Sequence, residues 1–175
     1  VMARPFSATD AKRIIERHQN IIEKLNNAVS SVEKYRTKAK EASDALVAQE
    51  VLKVLSDIPI EEINRDKRGI RVKALRDYGY RTIADISTAS VYSIASVHGI
   101  SEDAAYSIKS IVNDIVSKAR QGVKIRLSTD NRSREATALV LALSQYRRSQ
   151  KVADECRQLL NKNKQTIDYA VEDLH

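Results

Sequence analysis

Residues 72–108, VKALRDYGYRTIADISTASVYSIASVHGISEDAAYSI, contain a pair of short helix–turn–helix units in tandem, each turning on a glycine. The first unit is Leu75-x-x-x-Gly79-Tyr80-x-Thr82-Ile83-x-Asp85-Ile86. The second is Ile94-x-x-Val97-x-Gly99-Ile100-x-x-x-Ala104-Ala105-x-x-Ile108. A glycine just past a helix end can enter the left-handed conformation that reverses the chain tightly. The next helix then starts at once, and its first amide groups have no partner within the helix. With the helix dipole behind them, such amides suit an anion. Thr82 is the expected cap of one helix, with Asp85 three residues on as a variant capping box. Ser101 is the expected cap of the other. Leu75, Ile83, Ile86, Ile94, Val97, Ile100, Ala104 and Ile108 are expected to form one small core, since each unit alone buries too little to fold.

The surroundings of the first hairpin are basic. Between Asn64 and Arg81 stand Arg65, Lys67, Arg68, Arg71, Lys73, Arg76 and Arg81 against Asp66 and Asp77, a net of +5 out of +7 for the whole chain. Such local excess is the footprint of a phosphate-contacting surface, though a solvated helix face reads the same way. The second hairpin carries Glu102 and Asp103 in the first turn of its second helix, where they steady the helix and repel a phosphate. The first hairpin is therefore the preferred site, and the second is either structural or a further phosphate contact. Tyr78 and Tyr80 suit either stacking on a base or a half-buried place in the core.

The two glycine turns resemble the helix-hairpin-helix family, and the resemblance covers about a fifth of the chain. The tandem form of that family grips nucleic-acid backbones without reading sequence. The resemblance implies DNA contacts from Lys73, Arg76, Gly79, Tyr80, Arg81 and Thr82 in the first hairpin, and from His98, Gly99, Ser101 and Lys109 in and after the second. Members often carry a further glycine where this chain has Ser101. The phrase Arg71-x-x-x-Leu75-x-x-x-Gly79-Tyr80-Arg81-Thr82, with the later Arg126-Leu127-Ser128-x-Asp130-x-Arg132, is similar to a region preceding the motor of bacterial DEAD/DEAH-type DNA helicases. That resemblance implies an accessory segment of a larger ATPase, with the motor motifs outside this chain.

Composition sets the frame for the flanks. Four Gly, two Pro, no Trp and one Phe in 175 residues argue for an all-α protein with few turns. Residues 1–57 read as a long N-terminal helix with a heptad seam of Ile14, His18, Ile21, Leu25, Ala28, Val32, Tyr35, Ala39, Ala42 and Leu46, shifting later to Val47, Val51 and Val54. Asp57-Ile58-Pro59 ends it, because the residue before a proline resists helical angles. Residues 58–122 form the hairpin module. Residues 123–131 read as an extended connector, with Thr129 or Asp130 capping the next helix. Residues 132–175 read as that second long helix, whose stripe is Ala136, Leu139, Val140, Leu143, Tyr146, Ala153, Cys156, Leu160, Ile167, Val171 and Leu174. The polar run from Asn161 to Lys164 either divides it or is a solvated face. The expected architecture is a compact helix-hairpin-helix module flanked by two long helices forming an antiparallel coiled-coil stalk.

Several function classes find no support in the sequence. There is no phosphate-binding loop ending in Gly-Lys-Ser or Gly-Lys-Thr, and no paired Cys or His at metal-ligand spacing. His18, His98 and His175 lie far apart, and no catalytic set, cofactor or metal is expected. No apolar run is long enough to span a bilayer, and no signal peptide is evident. A lone cysteine, Cys156, rules out an internal disulfide and reads as a buried, reduced thiol, consistent with a cytoplasmic protein. Two readings remain. One is a sequence-independent DNA-binding module within a larger helicase or DNA-processing protein; the other is a helical scaffold or protein-interaction domain.

Overall fold

The computed structural model describes residues 7–172, and it is mostly helical with no strand among them. The helices are α1 (Ala8–Ser56), α2 (Val72–Tyr78), α3 (Ile83–Thr88), α4 (Val91–Ala95), α5 (Glu102–Gly122) and α6 (Arg134–Glu172), with a 3-10 turn at Ile60–Asn64. None of the described helices is long and apolar enough to cross a membrane. The chain divides into two units: Val1–Ala42 with Thr137–His175, and Ser43–Ala136.

The long-helix unit comes from the first part of α1 and nearly all of α6. Ser7 caps α1: its hydroxyl accepts from the Asp10 amide at 3.2 Å while the Asp10 carboxylate accepts from Ser7 N at 3.2 Å. At α6 the cap is Ser133, not Thr129 or Asp130: its hydroxyl accepts from Ala136 N at 3.2 Å, and Asn131 Oδ1 holds its amide at 3.1 Å. α6 runs unbroken through Asn161–Lys164, whose side chains simply face outward or graze the surface. Ala39, Ala153 and Cys156 are buried here, Cys156 as a free thiol. Leu25, Ala28, Val32 and Tyr35 are half-buried, but the start of the expected α1 seam is open to solvent, with Ile14 57% and Ile21 46% exposed. On α6, Val140 and Leu143 of the expected stripe are likewise exposed. The side chains of Ile167 and Val171, and Leu174 as a whole, lie outside the described residues.

The hairpin unit is larger than the segment 58–122, because it takes in the end of α1. Its core is Val51 and Leu55 from α1, Ile60 and Ile63 from the 3-10 turn, Leu75, Ile83, Ile86, Ile94, Val97 and Ile100 from the hairpins, and Ala105, Ile108 and Val112 from α5. Ala104 sits at its margin rather than inside it. The seam of α1 in this unit runs through Leu46, Val51 and Leu55, not through Val54, which is exposed. Burying residues at i, i+3 and i+7 of α5 gives one apolar face, and α3 and α4 lie across it. The connector after α5 is extended and unpaired, as its short alternation suggests.

Each short helix owes its ends to local chemistry, since helices this short do not persist alone. α2 stops at Gly79, which has φ +119°. Gly79 N donates to Arg76 O, and Tyr80 N reaches back to Leu75 O at 3.0 Å. These are the two bonds of a Schellman turn. α3 opens on the Thr82–Asp85 capping box. α4 is capped by the Ser90 hydroxyl, which accepts from Ser93 N at 3.0 Å. α5 follows Gly99, at φ +86°, and is capped by Ser101, whose hydroxyl accepts from Ala104 N at 3.2 Å.

Candidate nucleic-acid interface

The amides of the first hairpin from Gly79 to Ile83 are already spent inside the protein. Beyond the two turn bonds, Arg81 N and Thr82 N both donate to Asp85 Oδ2 at 2.8 Å, and Ile83 N donates to Ile58 O at 3.0 Å. Ile60 N in turn donates to Arg81 O at 3.0 Å, so residues 58–60 are tied to the hairpin on both sides. The two backbone amides hold the Asp85 carboxyl below its ordinary value. A phosphate approaching this turn meets a carboxylate on the very donors it would need. Gly79, Tyr80, Arg81 and Thr82 therefore offer no open amide to an anion, unlike the unpartnered amides expected of this turn.

The cations grouped with that hairpin are also partly committed. Arg76 is paired with Glu61, Arg65 with Glu62 at 2.8 Å, and Arg68 with Asp66 at 3.0 Å. Lys73 is exposed, as is the Arg81 side chain. Tyr80 is half-buried against the core, its ring 5.4 Å from that of Tyr78 and tilted by 31°. Burial pushes the Tyr80 phenol up, with smaller contributions from Tyr78 and Asp85. That ring is core, not a stacking platform.

Lys109 is not a phosphate contact in this structure. Its ammonium donates to the carbonyls of Ile86, Ser87 and Ala89 at 3.1, 2.7 and 2.6 Å, which uses all three of its protons. Those carbonyls belong to the end of α3 and the residue after it, where the chain has no later helical amide to satisfy them. Lys109 is a C-terminal cap delivered from α5, and burial pulls its ammonium down from the ordinary lysine value.

The second hairpin is the open one. Ser96 N, Val97 N and Ile100 N are bonded within the turn, and Ala104 N is bonded to the Ser101 hydroxyl. Among the described residues, the amides of His98, Gly99, Ser101, Glu102 and Asp103 have no acceptor. They cluster at the start of α5, a helix of 21 residues. Residue N3 of this helix is Ala104, so no carboxylate folds back over the amides as Asp85 does in the first hairpin.

A cleft of about 410 Å³ opens beside them, with Arg68, Arg71, Gly99, Ser101 and Ser107 in its wall. The Arg71 guanidinium lies against the turn: a Cβ at Gly99 would be 2.9 Å from Arg71 Nη1, so a side chain there would push the guanidinium aside, while φ itself favours glycine. Arg71 has no acidic partner among the described residues. His98, next to Gly99 in sequence, and Ser101 are exposed. Arg68 and Arg71 belong to the basic run of the sequence, but only the fold brings that run, through residues 68–71, against Gly99 nearly thirty residues on. Nothing local in the sequence marks that juxtaposition.

No group of three or more His, Cys, Asp or Glu side chains arranged to hold a metal ion occurs among the described residues. No family model matches this chain, and neither a curated protein nor a solved structure matches it significantly.

Proposed function

We propose that the hairpin unit is a sequence-independent module that binds the nucleic-acid backbone through its second hairpin. The observation that carries this reading is the Arg71 guanidinium seated on Gly99 beside a set of unpartnered amides at the start of α5. Backbone amides and a guanidinium together match a phosphate diester: the amides supply directed donors, and the arginine supplies charge and a planar fork. Arg68 and Lys73 extend the positive field. Glu102 and Asp103 oppose it, which keeps the affinity modest and the salt dependence visible. The helix-hairpin-helix resemblance supports the reading, and with it an accessory role, without bond-making chemistry, inside a larger DNA helicase or DNA-processing protein. Within the long-helix unit, α1 and α6 are proposed to pair antiparallel, supported by a shared cleft lined by Ser31 and Tyr35 from one and Arg148 and Val152 from the other.

The test is a salt-dependent titration with duplex and single-stranded DNA. Each neutralised phosphate contributes a slope of roughly −0.9 in log K against log salt on duplex. One neutralised phosphate at Arg71, and a second where Arg68 exchanges Asp66 for a phosphate, give an expected slope of about −1 to −2. Arg71→Ala should weaken binding equally on every sequence and flatten the slope by about 1. Arg76→Ala should change it little, because Glu61 already neutralises that guanidinium. A protein that ignores both DNAs at low salt refutes the proposal.

One observation favours a protein-interaction role instead: Ile14, Ile15 and Ile21 are all exposed on α1. Exposed isoleucines on one helix are an interaction surface when they are contiguous. Failure of the titration would make this the better account.

A further inference from the structure

A second surface flanks the start of α5. Tyr92 of α4 is 84% exposed and Tyr106 of α5 is 58% exposed, and both line one open cleft with Val91, Ala95, Ser96 and Glu102. Their rings make no ring–ring contact with each other, whereas Tyr78 and Tyr80 do. Neither hydroxyl has a hydrogen-bond partner among the described residues. Two large rings held out on capped helices, serving neither core nor hydrogen bond, need a reason outside the fold.

The geometry points to a single-stranded nucleic acid as the ligand, with an unpaired base taken into the Tyr92–Tyr106 cleft. This rests on the backbone-binding reading above and deepens it by naming the strand type. On α5, Ala104, Ser107 and Ile108 face the Arg71 cleft, while Glu102 and Tyr106 face the tyrosine cleft. The two clefts thus border the same first two turns of one helix, on opposite flanks of it, so a strand crossing the start of α5 reaches both. Glu102 decides what enters each. Its carboxylate bars a phosphate from the tyrosine cleft, but it can accept a hydrogen bond from the edge of a base. Phosphate on the arginine side and base on the tyrosine side is the arrangement a single strand presents, because its bases can swing away from the backbone. In a duplex the bases are stacked and paired, and the tyrosines would meet only the groove. Stacking on tyrosine is tolerant of sequence, since every base has a π-face.

The chain has no tryptophan, so its emission comes from its seven tyrosines, and the difference between wild type and the variants isolates Tyr92 and Tyr106. Titration of the full chain with oligothymidylate should quench that emission, and Tyr92→Ala with Tyr106→Ala should remove most of the quenching. Each substitution should weaken oligothymidylate binding about 10-fold while leaving the salt slope and duplex affinity unchanged. Tyr92→Phe and Tyr106→Phe should restore near-normal affinity, because the ring rather than the hydroxyl does the stacking. Oligouridylate in a parallel titration distinguishes RNA from DNA as the source of the strand; weaker binding of either one leaves the tyrosine effect intact. High exposure makes the substitutions safe for folding, and a melting curve checks this. If wild type binds both nucleic acids but the double alanine variant binds oligothymidylate equally well, the tyrosine cleft serves another partner and the inference falls alone. If wild type binds no nucleic acid, the backbone-binding reading falls with it.

Discussion

Replacing Lys109 by methionine separates the cap role the structure shows from the phosphate contact the resemblance implies. In the structure its ammonium closes three carbonyls at the end of α3, at 3.1, 2.7 and 2.6 Å. Methionine keeps most of the side-chain volume and removes every donor. A hydrogen bond from a charged donor contributes about 1.5–3 kcal/mol, and an abandoned buried acceptor costs about 1–3 kcal/mol. The three bonds share one ammonium whose burial already carries a penalty, so they do not add. Loss of the cation at a helix C-terminus contributes a further 0.3–1 kcal/mol or so. The expected net loss is about 2–4 kcal/mol, or a fall in Tm of about 5–15 °C for a chain of this size. Thermal and urea unfolding followed by circular dichroism measure it, with the salt slope for DNA recorded on the same protein. The structural role predicts a large stability loss with an unchanged slope. A Tm within a degree or so of wild type, with the slope flattened by about 1, would refute the cap and return Lys109 to the nucleic-acid interface.

Asp85→Ala should cost about 2 kcal/mol, since two charge-assisted bonds to amides are lost from a partly solvated site. Asp85 titrates below its ordinary 3.8 in the folded state, so its contribution is fully present above that value and fades as pH falls through the lower folded value; wild type and variant should therefore converge in strongly acidic buffer. Ile108→Ala, at a site with no exposure, should lose about 2–5 kcal/mol in urea unfolding. Gly79→Ala and Gly99→Ala should each lose about 1–2 kcal/mol, because both glycines have positive φ. Only Gly99→Ala should also weaken DNA binding, since its methyl would displace Arg71; equal affinities for the two variants would count against the second hairpin as the site.

Local signals carried much of the fold. The glycine spacing marks both turns, Thr82, Ser101 and Asp57-Ile58-Pro59 mark helix ends, and the apolar register identifies seven of the core positions around the hairpins. What the sequence does not display is partnership across distance. Lys109 meets carbonyls 20 to 23 residues earlier, and Glu61 neutralises Arg76 from a turn before α2 even begins. Each pairing removes a cation from the expected phosphate contacts, Arg76 from the basic run and Lys109 from those the resemblance implies. The contribution of the 3-10 turn to the core was equally hidden, because Ile60 and Ile63 are too few to show a period. The solvent-facing start of the α1 seam has the opposite cause: a heptad pattern records what could be covered, and Ile14 and Ile21 are not.

The reversal between the two hairpins comes from a conflict that is written in the sequence. A capping box and an anion site make claims on the same amides. Thr82-x-x-Asp85 places a carboxylate at the third helical position, where it turns back and accepts from Arg81 N and Thr82 N. The better the box, the less the helix start can offer a phosphate, whatever basic side chains surround it. Ser101-x-x-Ala104 has the hydroxyl but not the returning carboxylate, so only the Ala104 amide is taken and those before it stay open. Glu102 and Asp103 are acidic, yet at the first and second positions they neither return to these amides nor close the turn. Counting acids near a helix start thus favours the first hairpin, while asking which acid stands at the third position favours the second. The same rule gives a direct reversal: Asp85→Ala frees two amides beside Lys73 and Arg81, and Ala104→Asp should close those of α5. The second change should lower DNA affinity and stabilise α5 by capping, two effects of opposite sign from one carboxylate. If Ala104→Asp stabilises the protein and leaves DNA affinity untouched, the amides of the second hairpin do not hold the phosphate.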